Sequence, residues 1–429
     1  MNSPMTLISD GTHRRLPVII IGNACMRIAA GASGVLVGLY LADLAKRGFH
    51  VDVAFVGTLG AISFLFELIG AVPMGMASDA LAPRRLMTGG AFLGAIATQL
   101  FGMTSHVGVF FLSRAVEGLG AAAVTPSLLA HLTDVTDQNH SLRAKVMSYF
   151  ELSLLAGLAL GGVMGALFWK WFRTNAFGVV ALLYATSAML LFFGALGSRG
   201  HGQAKAISGF SRAIREPSLR RLAPAWLCVN SIIGLWLGPT LIFLLTRRSQ
   251  TQQFLDGLYG NDPSRVGWLL LGYSLIFAAG VTAWSFVLSR IKERRALRIA
   301  LVAMLAVCVG LFALNHTGDH QVPIRWIIGI STVFFVMIES GFTPAALSLL
   351  SGSIGALPGR GAAMGIYSLL LSVGAIGGSL LAAALGQWFA VDGLIYGTFG
   401  MAILALIFVR RISNGQFQLE DIPNGRKKV

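Results

Sequence analysis

Acidic side chains are scarce in this chain: 18 Asp and Glu stand among 429 residues, and charged residues of both signs make up only 12%. So little charge excludes a soluble globule of this length, which needs far more polar surface around its core. Cysteine is nearly absent as well. Cys25, Cys228 and Cys308 sit singly in separate apolar stretches without CxxC spacing, which excludes a disulfide framework and a thiolate metal site. None of the eight histidines lies deep in an apolar stretch, so no metal cluster and no nucleophile–base pair is expected. No GxxxxGK[ST] occurs, and ATP hydrolysis is therefore not expected. Gly118-Leu119-Gly120-Ala121-Ala122-Ala123 mimics a dinucleotide fingerprint, but it lies inside an apolar run with no strand before it. The sequence thus predicts no enzyme, no cofactor and no metal.

What the chain has is apolar length: 55% hydrophobic residues and a mean hydropathy of +0.73. Twelve stretches are long enough to cross a bilayer, at 17–42, 53–77, 86–104, 107–132, 146–168, 177–196, 222–246, 266–288, 296–314, 326–350, 362–385 and 391–409. A hydrocarbon core of ~30 Å takes about 20 apolar residues in a helix. Alternating the loops puts 23 basic residues on the side of the termini, 8 on the other side and 2 inside spans, which accounts for all 33. The positive-inside rule then predicts an integral membrane protein with both termini in the cytoplasm, and its short loops and compact size point to the bacterial inner-membrane type. Residues Met1 to Arg15 are polar and basic and the first span is long, so a retained anchor is expected rather than a cleaved leader. The net charge of +15 reads as topology, with membrane lipids as partners and no nucleic acid.

The longest polar connection near the middle divides the chain into a cytosolic N-terminus (1–16), a six-helix bundle (17–196), a cytosolic linker (197–221), a second six-helix bundle (222–409) and a cytosolic tail (410–429). The halves repeat one another. Thr125-Pro126 recurs as Thr343-Pro344, 218 residues on, while Arg143, Met147, Gly157 and Gly161 recur as Arg360, Met364, Gly374 and Gly378, 217 residues on. Gly157, Gly161 and Gly165 form successive GxxxG steps, a spacing that lets helix backbones meet closely in lipid. The expected fold is all-α, twelve transmembrane helices in two pseudo-symmetric bundles.

Between the second and third stretches the chain reads Gly75-Met76-Ala77-Ser78-Asp79-Ala80-Leu81-Ala82-Pro83-Arg84-Arg85, and Arg114-Ala115-Val116-Glu117-Gly118-Leu119-Gly120 follows in the fourth. The first resembles the GxxxD(R/K)xGR(R/K) signature of the major facilitator superfamily and the second its RxxxGxG element. Gly75, Asp79 and Arg84 match the signature, whereas Ala80, Ala82 and Pro83 depart from it. The resemblance implies transport by alternating access and a cytoplasmic gate at Gly75, Asp79 and Arg84, with Asp134 as a further member. Gly157 to Ala166 is similar to the glycine-rich element of the family's proton-coupled drug antiporters, with Gly162 in place of its proline.

Charges inside the spans are few: Arg27, Glu67, Arg114, Glu117, Glu151 and Glu339. An ionised group at mid-membrane costs ~2.5–3.5 kcal/mol on insertion scales, so such residues belong against water, a ligand or one another. Arg27 and Glu117 reach similar depths, which predicts an ion pair between them. Arg27, Arg114, Glu117, Glu151 and Glu339 are the expected substrate and proton pathway, with Glu151 and Glu339 as leading proton carriers. Glu67 is expected to be structural. Asn23 and Asn230 are polar candidates at corresponding depths of the first and seventh stretches. The function expected is proton-coupled export of small amphipathic compounds by a monomer. The alternative is transport of a small organic anion, with Arg27 as its partner.

Overall fold

Segments in lipid must satisfy each backbone N–H and C=O inside their own element, and the apolar stretches accordingly form helices. The computed structural model describes residues 15–80, 82–136, 140–195, 217–247, 251–288, 290–318, 322–354 and 360–414, and no strand occurs among them. The first half consists of α1 (Leu16–Lys46), α2 (Val53–Ala80), α3 (Pro83–Gly102), α4 (Val107–Val135), α5 (His140–Phe172) and α6 (Ala176–Gly194). The second consists of α7 (Pro217–Trp236), α8 (Pro239–Thr246), α9 (Arg265–Val287), α10 (Glu293–Asn315), α11 (Val322–Glu339), α12 (Phe342–Ile354), α13 (Arg360–Phe389) and α14 (Val391–Asn414).

Ten stretches among the described residues are long and apolar enough to cross a membrane, against the twelve expected. One of the ten, Ala159–Gly194, runs through the Arg173–Asn175 turn and takes in parts of both α5 and α6. The third helix falls outside the ten because its twenty residues include two arginines, a glutamine and four glycines.

Two expected spans are broken helices. Between α7 and α8, Gly238 is extended (φ −82°, ψ 172°) and Pro239 opens the new helix. Proline has no N–H to continue the ladder and disfavours helical backbone in the residue before it. Between α11 and α12 the chain turns at Ser340 and Gly341, where the indole of Trp284 lies against the Gly341 Cα and fills the space a side chain would need. The Trp284 Nε1–H donates to the Ile338 carbonyl at 2.9 Å.

The repeat is visible in the backbone. Two non-glycine residues have positive φ, Arg173 (50°) and Ala390 (49°), and they stand 217 residues apart in the tight turns before α6 and α14. Within the first half α1 packs along α5 and α6, and α4 packs between α2 and α3; in the second, α13 lies against α7, and α10 against α11 and α14. The halves meet through α2 on α13, α5 on α9, and α8 on α1 and α2. Helices alternate in direction, so α1, α3, α5, α7, α10 and α13 begin on one face, here the terminal face, and run to the far face. A cluster of rings stiffens the first half near the far face: Tyr40 stands edge-on to Phe101, Phe110 and Phe177, and its hydroxyl donates to the Thr104 carbonyl at 2.8 Å.

Candidate functional site

The glycine steps set the distance between helices. A methyl group on Gly157 would lie 2.7 Å from the carbonyl oxygen of Arg27, one on Gly161 2.6 Å from that of Ile28, and one on Gly165 2.7 Å from that of Ala32. Thus α1 and α5 touch backbone to backbone over two turns. In the second half Gly374 meets Asn230 and Gly378 meets Ser231 and Gly234, so α7 and α13 touch in the same manner. A methyl on Gly161 would lie 3.0 Å from the Gly31 Cα, and one on Gly378 3.0 Å from the Gly234 Cα. Gly31 and Gly234 are therefore equivalent, and by the same step of 203 residues Arg27 is equivalent to Asn230 and Cys25 to Cys228. The expectation that Asn23 and Asn230 correspond is corrected by this register. Asn23 matches Trp226, and its amide donates to the Ser153 hydroxyl at 2.5 Å, a bond between α1 and α5.

A polar cluster fills the first half. The Arg27 guanidinium donates to the Thr125 hydroxyl on α4 at 3.1 Å and faces the Phe150 ring at 5.8 Å. Arg114 and Glu117 pair one turn apart on α4, with side chains 8% and 13% exposed. Arg114 also donates to the Leu59 carbonyl at 3.4 Å, and the Tyr184 hydroxyl to Glu117 at 3.4 Å. Glu117 thus has its ion pair within its own helix, and the bond from Arg27 to α4 goes to Thr125, two turns beyond the partner expected. Glu67, expected to be structural, lies within electrostatic reach of Arg27.

In the second half Glu339 is the last residue of α11, at the helix break. It lies within electrostatic reach of Tyr273 on α9 and Cys308 on α10, and no hydrogen bond or ion pair to it occurs among the described residues. Arg84, at the start of α3, stacks on the Phe192 ring at 4.5 Å. Gly75 and Asp79 fall on α2, Asp134 on α4 and Glu151 on α5, and the surroundings of all four lie outside the described residues.

The far face is closed by contacts that sequence reasoning missed. The Gln387 side chain of α13 accepts the backbone N–H groups of Val53 and Ala54 at the start of α2. A methyl on Gly38 would lie 2.8 Å from the Pro239 carbonyl, and one on Gly57 2.6 Å from the Ala383 Cβ. Lys46 donates to the Gly260 carbonyl at 3.2 Å, joining α1 to the strap of residues 251–264. The strap is tied to the second half through Asp392, whose carboxylate accepts from Asn315 (2.8 Å) and Gln253 (3.1 Å) and bonds the His316 ring at 2.8 Å. Outside the spans, the Ser264 hydroxyl holds the Asp262 carboxyl below the usual carboxylate range, against a little burial, with help from Lys170 and Arg265. Burial pushes the Tyr259 phenol up, and the Arg265 charge opposes it. Only the polar identity of Asn315, Gln387 and Asp392 near span ends could have flagged this face.

Among the described residues no group of three or more His, Cys, Asp and Glu is placed to hold a metal ion. The arrangement divides its buried charges between two bundles and has a closure on one face.

Comparison with known proteins agrees with that architecture. The family model described as Major Facilitator Superfamily matches residues 19–258 and 249–420. The inner membrane transport protein YajR of Escherichia coli (strain K12) is 23% identical over 355 residues, 80% of this chain and 70% of its own. The uncharacterized MFS-type transporter YwfA of Bacillus subtilis (strain 168) is 26% identical over 418 residues, 92% of this chain and 90% of its own. A solved POT family transporter superposes with a TM-score of 0.69 at 12% identity, over 93% of this chain and 95% of that one, a likeness of fold.

Proposed function

The chain belongs to the major facilitator superfamily, and from that premise we propose that it is a proton-coupled secondary transporter of small organic anions, working by alternating access. The observation that carries this reading is the division of charge between the bundles. Arg27, on the first half, has the Thr125 hydroxyl of α4 and the Phe150 ring among its contacts, while Glu339, on the second, sits at a helix break with no ion pair among the described residues. A guanidinium in lipid surroundings is a forked donor for a carboxylate or phosphate. A lone carboxylate there is tolerated where it meets water, a cation or a proton.

Gly157, Gly161 and Gly165 of α5, which suggested an antiporter of amphipathic drugs, lie on the α1 backbone, and Gly162 lies on Leu270 of α9, so packing accounts for them. They carry no preference for cargo. The terminal face is taken as cytoplasmic from the distribution of Lys and Arg.

Reconstitution tests the reading. The purified chain in liposomes under an imposed proton gradient is given benzoate, and internal pH is followed against protein-free liposomes. Anion-triggered proton movement in the wild type, lost in Glu339→Gln while labelled benzoate still exchanges, is the expected result. Benzoate flux through the protein at constant internal pH would overturn the coupling and leave exchange or uniport.

A further inference from the structure

Arg84 and Arg85 stand in the first turn of α3, on the terminal face, and neither side chain has a hydrogen bond or ion pair among the described residues. Arg84 is held nonetheless, by the stack of its guanidinium on the Phe192 ring at 4.5 Å. A guanidinium over a ring keeps the N–H groups at its edge free to donate. That ring is on the outer surface: Phe192 and Phe193, near the end of α6, are both exposed. Along α3, Arg85 heads a row that continues through Gly89, Phe92, Ile96 and Leu100. All five are exposed, and each follows the last by three or four residues, which makes the row one face of the helix. An exposed apolar face on a membrane-spanning helix lies against lipid.

Gly89 interrupts the row. A methyl there would meet nothing within 4 Å, so the outer surface has a notch one turn below Arg85. The two helices touch along their length, from Arg84 on Phe192 at the terminal face to Gly94 on Tyr184 and then Gly102 on Phe177. Two unpaired guanidiniums, two exposed rings and the notch therefore share the terminal-face end of the outer surface that α3 and α6 form together.

We infer that this end of α3 and α6 is a binding site for one anionic phospholipid, whose phosphate accepts from Arg84 and Arg85 while an acyl chain runs through the Gly89 notch onto Phe92. Phosphate matches the forked donor pattern of a guanidinium, and arginines at the end of a span lie at headgroup level. A free phosphate would leave the apolar row unused. A second copy of the chain, placed on the same patch by a two-fold axis, would set arginines against arginines.

Native mass spectrometry of the full chain in detergent, titrated with phosphatidylglycerol and separately with phosphatidylcholine, tests the site. The wild type is expected to bind its first phosphatidylglycerol more tightly than its first phosphatidylcholine. Arg84→Gln and Arg85→Gln should each weaken phosphatidylglycerol binding about fivefold, and phosphatidylcholine binding less. Arg85→Gln carries the test should Arg84→Gln not fold. Gly89→Leu fills the notch and should weaken both lipids although both arginines remain. Arg410→Gln, which removes an exposed arginine near the terminal-face end of α14, should leave both unchanged. An equal loss in Arg410→Gln would reduce the effect to general surface charge and overturn the site. Displacement of phosphatidylglycerol by millimolar inorganic phosphate would make it a free-anion site, and unaltered lipid binding in Gly89→Leu would remove the acyl groove; either result overturns the assignment. A dimer that excludes phosphatidylglycerol would give the surface to a second copy and overturn it as well.

Discussion

Gln387 and Val53 join the two halves at the far face: the Gln387 side-chain oxygen accepts the Val53 N–H at 3.1 Å and the Ala54 N–H at 3.2 Å. The first N–H groups of any helix have no partner within it. For α2, Asp52 supplies one acceptor locally, to Phe55 at 2.8 Å, and the other comes from across the interface. Opening the far face must therefore uncap a helix.

Gln387→Ala removes both bonds at ~0.5–1.5 kcal/mol each and should shift the equilibrium toward the far-open form by roughly 5- to 140-fold. Electron-resonance distances between labels at Phe49→Cys and Trp388→Cys, with the three native cysteines replaced, report it. A distance distribution identical to that of the parent protein would show that the cap does not hold the closure.

Gly161→Ala places a methyl 2.6 Å from the Ile28 carbonyl, whereas Gly34→Ala meets nothing within 4 Å. Overpacking costs ~1–3 kcal/mol, so Gly161→Ala should lower the melting temperature. Gly34→Ala should leave it level or raise it, by up to ~1 kcal/mol from helix propensity. Equal effects of the two substitutions would refute the packing account.

Arg114 and Glu117 should show strong coupling in a double-mutant cycle. Removing one partner of a buried ion pair costs ~3–5 kcal/mol because the other charge is stranded. Arg114→Gln and Glu117→Gln together should cost clearly less than the sum of the two alone. Additive losses in unfolding experiments would mean that the pair acts as two independent residues.

Asp262 gives the strap a pH dependence of known sign. Its carboxyl titrates below the usual range in the folded protein, first because of the Ser264 hydroxyl. Its contribution to strap stability is thus present above the unfolded value of ~3.9 and is lost as pH falls through the lower folded value. Ser264→Ala should raise the Asp262 titration midpoint toward ~3.9 in carbon-13 NMR. An unmoved midpoint would remove Ser264 as the cause.

Hydropathy made the helices legible, since a span buried in lipid must be apolar along its whole length. The repeat was legible through Gly157, Gly161, Gly374 and Gly378, because backbone contact tolerates nothing larger. Register between helices was not. Depth alone paired Arg27 with Glu117 and Asn23 with Asn230, but depth says nothing of which way a side chain turns around its helix. The structure sends Arg27 to Thr125 and makes it the counterpart of Asn230. The break at Pro239 was written in the residue itself, whereas the one after Glu339 depends on the Trp284 indole from another helix. Gln387 and Asp392 escaped notice because polar residues near span ends ordinarily face water.

Apart from Gln387, Lys46 and Ile242, the far-face closure is built from Gly38, Gly57, Pro239 and Ala383, with Gly386 against Val53. Glycine, alanine and proline have no side-chain rotamers to freeze when they are buried. A gate of lysines and glutamates would have to immobilise long side chains each time it shut. Here only Gln387 and Lys46 have long side chains to place across the closure, so shutting carries a smaller entropic penalty than such a gate would.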